Sequence, residues 1–392
     1  MALFKQKMLY IGVVASLLVL VIFGVAMMGS VLGAKPKNLP VALVVEDQVV
    51  TLPDGSSLNV GAMVKEKLLA LPGLPLAWEI VGTEAEARQW LDEQKYYGAF
   101  VLPADLSAGL ASLTTGEPKP ATVKILANEG MSAQGATAVK QLLGQVSRMF
   151  SAELTQKLLG QLGERSEAIP ATGAKAIMTP FAIQEETVHP VGANNASGNA
   201  PGMLTQLSWI GSMVVAIFLF LASLKAAAVG ERRVTLALLQ AVVGLALVVG
   251  VSGFLVWMSS SWYGMELADA MGTWLVLMLA LAAFFMLQSA LLNWIGFAAM
   301  PILVLLMFFS MPVVNMAQEF LPQATQDWLY AWTPFRFVSS GLREAMYFSD
   351  VGASASNLAV LWWIVGVGLV LLVVSGLRKP KAKPAEASAT AA

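Results

Sequence analysis

The sequence predicts an α-helical integral membrane protein with six transmembrane helices in a 1+5 arrangement and an extracytoplasmic α/β domain inserted between helices 1 and 2. Apolar runs long enough to cross about 30 Å of hydrocarbon occur near the N-terminus and repeatedly after residue 206. Hydrophobic residues make up 57% of the chain and charged residues only 12%, whereas soluble domains are about 25% charged. Between the first run and the others, strand-like and amphipathic segments alternate, which is typical of an α/β domain.

Residues 1–34 are predicted to be a short cytoplasmic head and the first transmembrane helix. The run 8–32 carries no charge and is about twice as long as the 7–15-residue apolar core of a secretory signal, which favours an uncleaved helix. A removed signal peptide is the alternative, because Gly33 and Ala34 before Lys35 are small residues.

Residues 35–163 are predicted to form the α/β domain, which ends in a long amphipathic helix. Thr83 with Glu86 three residues later is a capping-box pattern at the start of a helix. Between Gln134 and Leu162, apolar residues recur every three or four positions, which predicts a helix packed on the sheet. A coiled-coil partner site is the alternative for this helix. The predicted strands are 38–48, 76–81, 96–103 and 121–128, and the predicted helices are 64–70, 83–94 and 134–162.

The second half of the chain is predicted to return to the membrane and stay there. Residues 164–206 are rich in Pro, Gly and Asn and are interpreted as an irregular strap. Residues 207–377 form a five-helix membrane domain, and the tail 378–392 is predicted to be disordered. The five helices are expected at 207–229, 234–258, 272–291, 295–317 and 357–377.

Lysine and arginine residues predict the orientation of the chain. With six helices, the cationic clusters at 5–7, 225–233 and 378–383 all fall on one side, which is cytoplasmic by the positive-inside rule. Both termini are therefore expected in the cytoplasm and residues 35–206 outside, in a bacterial cytoplasmic membrane.

Composition and motifs argue against several function classes. The chain has no cysteine and one histidine, so thiolate metal sites and clustered histidine ligands are not expected. A net charge of −1 gives no reason to expect a nucleic-acid partner. No phosphate-binding loop, GxSxG or HExxH motif occurs, so the sequence predicts no enzyme, catalytic residue, metal or cofactor in this chain.

The segment 318–350 is too polar to span a membrane yet rich in aromatic residues, and Pro322 and Pro334 divide it. It is either an outer gate on a substrate path or an interfacial anchor. Its charged side chains are expected to face water, lipid headgroups or one another. The residues assigned to the gate are Trp332, Pro334, Arg336, Arg343 and Glu344.

The loop between the second and third predicted helices is the short sequence GERR. Glu231, Arg232 and Arg233 either contact a cytoplasmic partner or only determine topology. Because the loop is so short, the topological interpretation is the simpler one.

Several stretches together resemble the ABC-2 type export permeases and, among them, the YhgE/Pip (phage infection protein-like) family. They are NLPVALVVEDQ, SLNVGAMVKEKLL, LAWEIVGTEAEARQWLDEQKYYGAFVLPADLS, ILANEG, NAPGMLTQLSWIGSMV and WTPFRFVSSGLREAMYF. The resemblance implies a homodimer or a permease heterodimer, surrounded by membrane lipids and working with a separate ABC ATPase subunit. It also implies outward movement of a lipid-like, drug-like or peptide or wall-polymer substrate.

Two hypotheses for function follow from the sequence. The first is an export permease in which 318–350 forms the outer gate. The alternative is a cell-surface receptor or envelope scaffold, in which the outer domain binds an extracellular ligand and the helices are only an anchor.

Overall fold

The computed structural model describes Leu17, Leu18 and Val21 and the residues 35–52, 55–113, 117–165, 171–348 and 355–378. The first predicted transmembrane helix, apart from those three residues, and the tail beyond Arg378 lie outside the described part. The described residues form an α/β domain and a bundle of long apolar helices.

The α/β domain is built on a five-stranded sheet with the order β4-β1-β5-β6-β7. Strand β1 lies between β4 and β5 and is parallel to both; β6 is antiparallel to β5 and parallel to β7. A two-stranded hairpin, β2–β3, stands apart from this sheet. The strands are β1 Leu39–Val45, β2 Val50–Thr51, β3 Ser57–Leu58, β4 Leu76–Val81, β5 Gly98–Leu102, β6 Thr122–Asn128 and β7 Ala182–Val188.

Helices cover both faces of the sheet, which explains why β1 and β5 are almost continuously apolar. One face packs against α1 (Val60–Ala70), α3 (Leu106–Ser112) and α4 (Ala133–Arg165). The other face packs against α2 (Glu84–Asp92). Helix α4 buries its apolar side in the first of these cores, as predicted for a helix packed on the sheet.

The capping box at the start of α2 is confirmed in part. The Thr83 hydroxyl accepts a hydrogen bond from the backbone N–H of Glu86 at 3.2 Å. The Glu86 carboxylate accepts from the backbone N–H of Gly82 at 3.1 Å, one residue earlier than in the usual capping box.

The segment 164–206 differs from the predicted irregular strap. It contains a short helix, α5 (Ala171–Ile177), and the edge strand β7, which pairs with β6 along its whole length. The sequence AIQEETV hides this strand because four of its seven residues are polar and none of the seven is buried. An edge strand covered on only part of its surface does not need the apolar pattern that marks β1. The sheet therefore extends to Val188, past the predicted boundary at 163.

Long apolar helices form the second part of the structure. By length and composition, four helical stretches among the described residues can cross a membrane: 200–228, 233–261, 270–315 and 355–375. The protein is therefore membrane-embedded. The helices of the bundle are α6 Ala200–Ala228, α7 Arg233–Ser261, α8 Ala270–Ile295, α9 Ala299–Asn315, the shorter α10 Pro334–Tyr347 and α11 Ala355–Ser375.

The long stretch 270–315 folds back on itself at Gly296. This residue has φ of +65°, which glycine adopts without the steric cost of a side chain, and it ends α8 before α9 begins. Helix α9 then runs antiparallel to α6. Asn315 at its end lies against Gly202, whereas the ring of Phe297 before its start is 5.8 Å from that of Phe220.

The two ends of the bundle are distinct. At the domain end, the α/β domain is joined to the bundle by hydrogen bonds such as that from the Asn194 side chain to the Gly264 carbonyl, 3.0 Å. At the opposite end, the Arg378 guanidinium stacks on Trp294 and donates to its carbonyl at 2.8 Å. Contacts between Gly376 and Val234 join α11 to the start of α7 at this same end.

Close packing between α7 and α8 gives a test of the bundle. A Cβ atom at Gly244 would lie 1.9 Å from the ring of Phe285, which is fully buried, whereas one at Gly250 on the same helix would meet no atom within 4 Å. Gly244→Ala should lower the free energy of unfolding by about 1–3 kcal/mol through overpacking. Gly250→Ala should be neutral or slightly stabilising because alanine favours the helix.

Both full-length variants are unfolded by heating in maltoside micelles, and tryptophan fluorescence is used to measure their melting temperatures. Equal melting temperatures for the two variants would contradict the α7–α8 packing described above.

Candidate functional site

The segment between α9 and α11 enters the bundle from the domain end and returns to it. After the turns Gln318–Phe320 and Gln326–Tyr330, helix α10 starts deep among the other helices, where the ring of Phe335 lies 4.7 Å from that of Trp209. It ends beside the start of α8, where the Met346 carbonyl accepts a hydrogen bond from the N–H of Ala268 at 3.2 Å. Because it enters and leaves the bundle at the same end, it is here called the re-entrant segment.

Local chemistry fixes where α10 begins. Pro334 occupies its first position, where the missing N–H costs nothing and the fixed φ suits a helix. Just before it, the hydroxyl groups of Thr333 and Ser310 lie 2.6 Å apart in a hydrogen bond, and both residues are buried. This bond ties the start of α10 to α9.

Helix α10 has an apolar side and a polar stripe. Its apolar side includes Phe335, Val338 and Leu342, all fully buried in the core of the bundle. The polar stripe consists of Arg336, Ser339, Ser340 and Arg343, whose spacing of i, i+3, i+4 and i+7 puts them on one face of a helix.

The polar stripe faces the α/β domain across a cavity of about 160 Å³, here called the interdomain cleft. Gln94 and Tyr97 line it from the domain, close to the N-terminal end of β5. Glu319 and Tyr330 line it from the re-entrant segment. The site is therefore built from residues far apart in sequence.

A second cavity of about 700 Å³, here called the adjoining cavity, shares Met316 and Arg343 with the cleft. It lies between the start of α4, at 132–134, and the residues 197–199 that precede α6. Cavities of about 300–1,000 Å³ at domain interfaces are common places for small ligands. Arg343 is thus the charged residue that lines both cavities.

The cleft contains two cations with few partners. The guanidinium carbon of Arg336 lies 4.7 Å from the centre of the Tyr330 ring and 4.4 Å from that of Phe337, which are cation–π distances. Among the residues that the structure describes, no carboxylate oxygen lies within 4 Å of Arg336 or Arg343, and neither guanidinium donates a hydrogen bond. The described lining therefore carries two cations against the one carboxylate of Glu319, and its guanidinium groups have unused donors.

Tyr97 links the α/β domain to the re-entrant segment. Its buried hydroxyl donates a hydrogen bond to the carboxylate of Glu319, and the backbone N–H of Lys37 donates to the Glu319 carbonyl at 3.2 Å. Burial, and then the negative charge of Glu319, raise the pKa of Tyr97 well above its usual range. The phenol therefore keeps its proton and remains a donor to Glu319 at any physiological pH.

Comparison with known proteins identifies the family. The sequence profile of a family described as "Protein of unknown function (DUF3533)" matches residues 8–370 of this chain. The chain belongs to the DUF3533 family. That description names no activity, and no curated protein and no solved structure matches the chain. The resemblance to ABC-2 permeases and to the YhgE/Pip family stays a prediction.

In this DUF3533 protein the predicted gate residues fall into two groups. Arg336 and Arg343 come together at the cleft. Trp332 lies outside it, is 58% exposed and donates from its indole N–H to the Trp328 carbonyl at 2.5 Å. Glu344 is buried and accepts from the Asn357 side chain at 3.0 Å, joining α10 to α11. Together with Pro334, Trp332 and Glu344 shape or anchor the segment without lining the cleft.

The other predicted contact region lies at the opposite end of the bundle. Glu231, Arg232 and Arg233 are all exposed, at a turn in which Gly230 has φ of +99°. Helix α7 separates them from the domain end by about 40 Å at 1.5 Å per residue. They do not line the cleft, and they are exposed at the end of the bundle opposite the α/β domain.

Several residues of the cleft were not expected from the sequence. Ser339 and Ser340 could have been identified from the sequence, because their helical spacing places them on the same face of α10 as the two arginines. No sequence pattern indicated Tyr97 or Gln94, because Tyr97 contacts Glu319 although the two residues are 222 positions apart. Only the fold brings them together.

Removing one hydroxyl tests the link between the domain and the re-entrant segment. Tyr97→Phe should speed amide hydrogen exchange in residues 316–330, because it removes the hydrogen bond to Glu319. Tyr96→Phe is the matched control, since the Tyr96 hydroxyl bonds Glu79 within the domain at 2.7 Å. Mass spectrometry of the exchanged full-length protein in micelles measures both. Unchanged exchange in Tyr97→Phe, or equal acceleration in both variants, would contradict the assigned link.

Proposed function

We propose that this DUF3533 protein is a membrane permease subunit that moves an amphiphilic substrate outward, whether lipid-like, drug-like or a peptide or wall polymer. The observation that carries the proposal is the re-entrant helix α10, which packs inside the bundle on one side and lines a polar cleft on the other. A protein that served only as an anchor has no need of a charged helix held inside an apolar bundle.

The position of the cleft supports a role as an outer gate. It lies at the domain end, where a substrate leaving the bundle meets α10 before it reaches the α/β domain. The contacts of Glu319 with Tyr97 and Lys37 close the cleft on the domain side. Movement of α10 or of the domain opens this route.

The proposed topology has six membrane crossings and places the domain end outside. The crossings are α6, α7, α8, α9 and α11 with the predicted helix 8–32. Lys225, Arg232, Arg233 and Arg378 all lie at the opposite end, which supports a cytoplasmic position for that end.

Because the chain has no cysteine, single cysteines report the topology without background. Glu66→Cys lies on an exposed position of α1 and should react with a membrane-impermeant maleimide in intact cells. Glu231→Cys should react only after the cells are permeabilised. Labelling of Glu231→Cys in intact cells, with Glu66→Cys protected, would reverse the proposed orientation.

The opposite end is the proposed docking surface for a separate ATP-hydrolysing subunit. The exposed Glu231, Arg232 and Arg233 lie there, away from the α/β domain. The proposal includes pairing of two permease chains in the membrane, either two copies or a copy with a related chain.

Deletion of the gene in its native host tests export directly. Mass spectrometry of medium and cells should reveal at least one amphiphile that falls severalfold in the medium, rises in the cells and is restored by the wild-type gene. A double variant, Arg336→Ala with Arg343→Ala, should not restore it because the gate loses its cations. Arg148→Ala, on an exposed position of α4 outside both cavities, should restore it.

All variants are compared at equal amounts in the membrane fraction. A deletion strain with no changed compound would reject the permease. The result would then favour the receptor or scaffold, to which the mostly exposed edge strand β7 offers a surface for pairing with a partner strand.

A further inference from the structure

We infer that the interdomain cleft and the adjoining cavity together bind the anionic headgroup of an amphiphile, with a phosphate or carboxylate group held by Arg343 and Arg336. The binding site stands on the geometry of the cleft. Identifying the bound amphiphile as the substrate rests on the proposed function.

The first step is the charge of the cleft. Arg336 and Arg343 both line it, and within the described residues neither has a carboxylate oxygen within 4 Å. The carboxylate of Glu319 is held by the Tyr97 hydroxyl. A half-buried guanidinium gains most from an acceptor that takes two parallel hydrogen bonds, and phosphate and carboxylate groups do this.

The second step is the shape of the site. Arg343 lines both the 160 Å³ cleft and the 700 Å³ adjoining cavity, so a group bound by it occupies the boundary between them. Ser340, half-buried on the polar stripe, adds a hydroxyl on the side of the cleft. The larger cavity has room for the remainder of a headgroup, and Met316 and Phe320 give part of its wall an apolar character.

The third step is the level of the site in the membrane. Trp328 and Trp332 on the same segment are 81% and 58% exposed, and such tryptophans favour the boundary between hydrocarbon and headgroups. One turn away, the apolar side of α10 enters the core of the bundle. A ligand with a charged head and an apolar tail matches this change of surroundings better than a free ion does.

The test uses full-length protein in maltoside micelles and three probes: dodecyl phosphate, dodecylphosphocholine and inorganic phosphate. Binding is measured by calorimetry. Dodecyl phosphate should bind best, and Arg343→Gln should weaken its binding about tenfold or more, as expected for loss of a charge-assisted hydrogen bond. Arg336→Gln should weaken it as well, whereas Arg148→Gln, on the exposed side of α4, should not.

Arg343→Lys keeps the charge but loses the two-pronged geometry, so its affinity should fall between those of wild type and Arg343→Gln. If Arg343→Gln does not fold, the affinities of Arg343→Lys and Arg336→Gln for dodecyl phosphate test the inference.

Three results would overturn the inference. They are binding of dodecyl phosphate that is as tight in the arginine variants as in wild type, equal binding of dodecylphosphocholine, and equal binding of inorganic phosphate. The last would indicate a site for free phosphate. Arginine-dependent binding in a protein that exports nothing would reject only the proposed function, and export without arginine-dependent binding would reject only the inference.

Discussion

The burial of the central part of helix α8 by the helices around it is the constraint on which the bundle depends. Phe284, Phe285 and Met286 are fully buried at its centre, and α6, α7, α10 and α11 all pack against it. In a bilayer, lipid tails compete with side chains for apolar contact, so helices associate where small residues let them approach closely. Gly244 of α7 accepts the ring of Phe285, and Gly368 of α11 lies against Met286.

The candidate site follows from this packing. Phe335 lies 5.1 Å from Phe284 and 4.7 Å from Trp209, so the start of α10 is fixed inside the bundle by aromatic contacts. Once that side is buried, the helical period alone turns Arg336 and Arg343 towards the α/β domain. Because α8 packs against the apolar side of α10, the two arginines on its other side face the domain and not lipid. Their position therefore depends on residues that carry no charge.

Hydropathy was enough to predict the long apolar helices α6 to α9 and α11 and most strands, and the cost of charge in an apolar segment was enough to single out Arg336 and Arg343. The sequence did not reveal β7, whose exposed polar residues are stabilised by pairing with β6 and by the ion pair of Glu186 with Arg88 at 2.7 Å. Nor did it reveal Tyr97, because its contact with Glu319 depends on how the domain sits on the bundle. Local patterns thus pointed to the two arginines of α10 that line the cleft and missed the residues that line it from the domain.

A site divided in this way has a mechanical consequence. One wall is formed by α10 in the bundle, whereas Gln94 and Tyr97, which precede β5, line the cleft from the domain. A ligand that binds more tightly in one relative position of the two parts shifts the molecule towards that position by the difference in its binding free energy. Glu319 connects the two parts, since its carboxylate and its carbonyl both contact the domain, and its own segment leads into α10. The division of the cleft between bundle and domain is therefore the feature through which the proposed ligand binding would be coupled to the position of α10.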